Sequence, residues 1–131
     1  MIELVPHTAD VRMRISGSSL EELFSEGARG LFEVLAPRAL AERAQRRIEV
    51  EANDTTSLLV DFLNEVLWNA LVSREAYESV HFEELTEKRL VAELHGHLVE
   101  GFGDDVKAVT YHEAEVRRSN GLWETLLVLD V

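Results

Sequence analysis

Val11, Met13 and Ile15 alternate with Arg12, Arg14 and Ser16 and stop at Gly17, the two-residue period of a half-buried strand. The period then changes. Leu20, Leu23, Phe24, Gly27, Ala28, Leu31, Phe32 and Leu35 recur at steps of three and four until Pro37, so the spacing predicts an amphipathic helix, with Ser19 and Glu22 as its capping box. Arg47 to Ala52 is a second alternating strand. Asp54 and the Thr55-Thr56-Ser57 run offer caps for a second helix that buries Leu58, Leu59, Phe62, Leu63, Val66, Leu67, Ala70 and Leu71. Its other side carries Asp61, Asn64, Glu65 and Trp68 and reads as a solvated face with a tryptophan at its edge.

Beyond the second helix the pattern returns to strands. Val80 to Leu85 and Leu90 to Leu98 are expected to pair around "TEKR", and the acidic, glycine-rich "EGFGDD" reads as a mobile surface turn. Tyr111 to Arg118 and Leu122 to Asp130 are expected to close a final hairpin across "SNG". Two amphipathic helices among antiparallel strands predict an α+β, two-layer fold, a mostly antiparallel sheet with both helices on one face, in one domain over residues 1–131. Strand order does not follow from the pattern.

Composition adds three constraints. No apolar run approaches the roughly 20 residues of a membrane span and the first residues form no leader, so a cytoplasmic location without membrane association is expected. There is no cysteine, which leaves oxygen and imidazole ligands for any metal. The formal net charge is −12, and phosphate recognition draws on Lys and Arg, so direct stable nucleic-acid binding is not expected. The basic clusters are Glu42 to Arg47 and the pair Arg117 and Arg118, neither interleaved with aromatics. A basic protein partner or a cation suits such a surface better.

The chain ends "LLVLDV": an apolar run followed at once by Asp130 and then Val131, whose α-carboxylate is expected beside the Asp130 side chain. Two negative groups at the tip of a buried strand call for a positive neighbour. Asp10, at the entrance to the first strand, is a further carboxylate, and a hard cation such as Ca²⁺, Mg²⁺ or Mn²⁺ takes several such oxygens. The spacing alone leaves their convergence open. Other chemistry finds less support: the histidines, including His95 and His97 on one side of a strand, lack a third zinc ligand, "ISGSSLE" is no nucleophile elbow, and Asp104 and Asp105 oppose a phosphate loop. Lys107 is read either as a functional cation or as a surface partner of Asp104 or Asp105.

"HTAD" at His7 to Asp10, "LLVDFLNEVLW" at Leu58 to Trp68, "KAVTYH" at Lys107 to His112 and the terminal "LDV" together resemble the archease family, in the same order over nearly the whole chain. Phe62, Val66, Trp68 and Val131 depart from the commoner residues. The resemblance implies a protein that is not itself an enzyme but activates the GTP-dependent RNA ligase of tRNA splicing and RNA repair, promoting its guanylylation and multiple turnover through a divalent metal. It further implies that Asp10 and Asp130 bind metal, that Val131 completes the site and that Lys107 is the third functional residue. Two rival readings are a chaperone for tRNA-modifying enzymes, a role also attached to the family, and a small metal-dependent hydrolase built on Asp10 and Asp130.

Overall fold

The structure, a computed structural model, describes residues 1–6 and 10–131; His7, Thr8 and Ala9 of the "HTAD" motif lie outside the described residues. Strand β1 (Ile2–Pro6) leads to β2 (Asp10–Gly17) and helix α1 (Leu20–Leu35), and β3 (Pro37–Glu51) to helix α2 (Thr55–Ser73). Five more strands follow: β4 (Glu75–Leu85), β5 (Arg89–Phe102), β6 (Ala108–Thr110), β7 (Arg117–Ser119) and β8 (Leu122–Asp130). All described pairings are antiparallel.

The α+β class holds, and the strands divide between two sheets. One runs β1-β2-β8-β6 with β7 also on β8, and the other runs β3-β5-β4. The helices pack against both: α1 touches β2 and β4, and α2 touches β6, β3 and β4. Met13, Ile15, Leu127 and Leu129 from the first sheet and Ile48, Leu90, Ala92 and Leu94 from the second therefore join one core. Phe24 of α1 and Phe62 of α2 are fully buried in it, and the half-buried Phe82 of β4 packs on both, with ring centroids 5.7 to 6.3 Å apart. Each such pair contributes about 1 kcal/mol beyond its buried area.

Local chemistry sets the ends of both helices. Ser19 Oγ accepts the Glu22 N–H at 3.1 Å, while the Glu22 carboxylate is taken by the Ser18 hydroxyl at 2.7 Å, so only half of the expected capping box forms. Asp54 caps α2 by accepting the Ser57 N–H at 2.8 Å, which holds its carboxyl below the usual range. Both helices stop at a left-handed residue, Ala36 and Arg74.

Four expectations need correction. First, "EGFGDD" is a surface turn only in its second half: Glu100 to Phe102 complete β5, and the Gly103 N–H donates to Leu35 O and Ala36 O at 2.9 Å. The loop thereby satisfies carbonyls that α1 leaves open at its C-terminus. Second, residues 111–116 are not a strand. Glu113 has φ +60°, and the N–H groups of Glu115 and Val116 donate to the hydroxyls of Thr125 and Thr56 instead of joining a ladder. Third, Leu71 stays 43% exposed, outside the buried stripe of α2. Fourth, β3 starts ten residues before the expected Arg47, at Pro37, because it pairs with the long β5 as far as Phe102. Gly96 permits the matching approach of β4 to β5, since a Cβ there would lie 1.7 Å from Ala76 O.

Candidate functional site at the β2–β8 rim

Strand β8 lies between β2 and β6, and that placement unites distant parts of the chain. Asp10 is the register partner of Asp130 across β2 and β8, and Ala108 is the partner of Asp130 across β6 and β8. Directly opposed residues of an antiparallel pair share one face, with Cα atoms roughly 5 Å apart. Val11 and Leu129, the next pair, pack with the core, and Asp10 and Asp130 stand at the end of the ladder beyond them. The Lys107 N–H donates to Asp130 O at 2.7 Å. Asp10, Lys107 and Asp130 are thus joined through their backbones at one rim, and Val131 follows directly and is exposed.

Asp10 and Lys107 border different grooves. Asp10 borders a groove of about 390 Å³ with Leu4, Val5, Glu33, Val34 and Asp104. Lys107 lines another, of about 460 Å³, with Asp61, Asn64, Glu65, Trp68 and Leu71 of α2. Among the described residues Lys107 forms no ion pair, so it is not the surface partner of Asp104 or Asp105. Two residues along β2 from Asp10, Arg12 pairs with Glu113.

Like charges directly opposed on a ladder repel, and a cation between them reverses the sign of that interaction. Asp10, Asp130 and a backbone oxygen of Val131 are hard oxygen donors, and this set fits Ca²⁺, Mg²⁺ or Mn²⁺ in kind. Among the described residues no group of three His, Asp or Glu side chains stands close enough to hold a metal ion, so further ligands would come from the backbone, water or a partner.

A feature that the sequence pattern missed positions Lys107. Asn64 on α2 receives the Val109 N–H at its Oδ1 (2.9 Å) and donates through Nδ2 to Val109 O (2.7 Å). One side-chain amide thus replaces the strand that β6 lacks on that edge. Next along, Tyr111 donates its hydroxyl to Asp61, and this hydrogen bond to a carboxylate pushes the phenol up to about 12. The only signal in the sequence was the cluster of polar groups at Asp61, Asn64 and Glu65 on a helix otherwise rich in Leu and Val.

The two basic clusters are engaged elsewhere. Arg46 grips Glu75 through both carboxylate oxygens at 3.0 and 3.1 Å, Arg47 reaches Glu83 at 3.0 Å and Arg43 reaches Glu78 at 3.7 Å. The "ERAQRR" cluster stitches β3 to β4 across β5. Arg117 pairs with Glu115, and Arg118 lies 5.3 Å from the centroid of the Trp123 ring. His95 approaches Glu93 at 2.9 Å, and His97 lies 3.8 Å from Glu78.

The sequence profile of the Archease protein family (MTH1598/TM1083) matches residues 3–131. The chain is 36% identical to the protein archease of Pyrococcus abyssi over 95% of its own length and 94% of that protein's. Its fold is similar to the solution structure of Methanobacterium thermoautotrophicum protein 1598, with 30% identity, a TM-score of 0.74 and coverage of 99% and 98% of the two chains. It is similar in fold alone to a Thermotoga maritima crystal structure described as an archease, possible chaperone, at 23% identity and TM-score 0.72 over 100% and 98% of the two chains.

Proposed function

The chain belongs to the archease family, and from that premise we propose that it activates a GTP-dependent RNA ligase that joins ends bearing 3′-phosphates, in tRNA splicing and RNA repair. The observation that carries this reading is the register of Asp10 against Asp130, with the Lys107 N–H on the Asp130 carbonyl. Three residues from distant parts of the chain meet at one exposed rim. Asp10, Asp130 and Val131 are the residues that would hold a divalent ion, which when bound supplies positive charge for guanylylation of the ligase. Lys107 contributes an ammonium that no described carboxylate ties down.

The chain's charge supports a protein partner over RNA. A net charge of −12 favours encounter with a phosphate-binding, basic cleft, and the arginines of the "ERAQRR" cluster are already paired with glutamates. The activator works by contact and does not itself join RNA ends. It acts in the cytoplasm.

The test is reconstitution. Adding the protein to its cognate ligase with GTP and Mg²⁺ or Mn²⁺ raises guanylylation and turnover, and Asp10→Ala, Lys107→Ala and Asp130→Ala each remove most of that gain. Circular dichroism of the variants matches the wild type. Full stimulation by Asp130→Ala would overturn the reading, and suppression of client aggregation that survives chelator would favour a chaperone instead.

A further inference from the structure

Helix α2 is buried along most of its length, yet its last turns expose Trp68 (64%), Leu71 (43%) and Val72 (60%). These positions stand at i, i+3 and i+4, so they form one apolar patch rather than three separate exposures. The patch opens onto the groove that Lys107 also lines. Between Thr55 and Ser73 the helix carries no basic residue, and its charges are Asp61 and Glu65, both lining that groove. Neither forms an ion pair among the described residues: Asp61 accepts from Tyr111, and Glu65 is reached only by Asn69 at 3.4 Å. Elsewhere Glu51, Glu75, Glu83 and Glu84 each have an arginine. This groove therefore combines an exposed indole with two carboxylates that lack a cation.

We propose that the α2 groove is a docking site for a protein segment with an apolar anchor flanked by Lys or Arg. The anchor packs on Trp68 and Leu71, and its basic neighbours meet Asp61 and Glu65, which outnumber Lys107 as the charged groups of the groove. The occupant is a surface segment of the activated ligase, and this identification rests on the reading above. Lys107 links the groove to the rim, because its backbone N–H is bonded to Asp130 O while its side chain lines the groove. A segment seated on α2 lies next to Asp130. The two parts have separate tasks: the groove supplies affinity and the rim supplies activation.

The experiment titrates the full chain and its Trp68→Ala, Glu65→Lys and Asp130→Ala variants against the cognate ligase, reading direct binding by calorimetry and stimulation of guanylylation in parallel. Trp68 is exposed, so its loss leaves the fold intact. Trp68→Ala and Glu65→Lys each weaken binding about tenfold or more, with full stimulation recovered at saturation, whereas Asp130→Ala binds as the wild type does and fails to stimulate. Unchanged affinity of both groove variants overturns the proposal. So does a wild-type self-association that Trp68→Ala abolishes, since the patch is then an interface between copies, or RNA binding that Trp68→Ala abolishes. Wild-type protein that binds through Trp68 but never stimulates overturns the activator reading and leaves the docking site standing.

Discussion

Glu75 opens β4 and Asp130 closes β8, so both are carboxylates at strand ends, yet their surroundings are opposite. Glu75 is 6% exposed and fully engaged: Arg46 binds both of its oxygens, and the Tyr77 hydroxyl donates to Oε1 at 2.7 Å. Burial and that carboxylate together push the Tyr77 phenol far above its ordinary value. Asp130 is exposed, has Asp10 as its cross-strand partner, and forms no ion pair among the described residues. A charge that serves the fold is surrounded by its own chain's donors. Asp130 is held by its backbone while its carboxylate stays exposed, as its proposed role toward a cation or a partner requires.

The comparison can be broken most severely from the Glu75 side. Glu75→Ala leaves Arg46 and Tyr77 without their acceptor and is expected to cost about 3 kcal/mol in urea unfolding, with stimulation per folded molecule unchanged. Asn64→Ala acts on both sides of the comparison. Losing both bonds to Val109 costs about 2 kcal/mol and, because β6 carries Lys107 to the rim, also lowers stimulation; equal stimulation would mean that β6 needs no pinning.

Asp130→Asn sharpens the contrast, since stimulation is expected to fall about tenfold while stability stays within about 0.5 kcal/mol of the wild type, as at an exposed position. A loss of stability would place Asp130 among the structural charges with Glu75. Two smaller effects concern carboxylates of intermediate kind. In a phenolate absorbance titration Tyr111 is expected to ionise near 12, and Asp61→Asn returns it towards 10. Asp54 is depressed when folded, so its stabilisation is present above the ordinary carboxylate range and is lost as pH falls through the lowered value; Asp54→Ala flattens that part of the stability profile.

Much of the fold was legible because burial imposes periodicity. The stripe from Leu20 to Leu35, the alternation around Met13 and the capping residues Ser19 and Asp54 all appear where the pattern puts them. Legibility ended where backbone groups are satisfied at long range. The bonds from Gly103 to the end of α1, and from Glu115 and Val116 to threonine hydroxyls, link residues at least ten positions apart and leave no period behind. Asn64 is the plainest case, since an amide on a helix and a strand 45 residues away carry no shared local pattern.

By itself the sequence determined the two helices and their buried faces, most strand cores, and the charge that disfavours phosphate binding, because each of these depends on near neighbours or on totals. It also contained the motif residues of a rim site. Tertiary structure alone decided that the strands form two sheets, that β8 is flanked by β2 and β6, and hence that Asp10, Lys107 and Asp130 meet. Hydrogen-bonded register is a contact between distant segments, and no periodicity within either segment specifies which partner it will face.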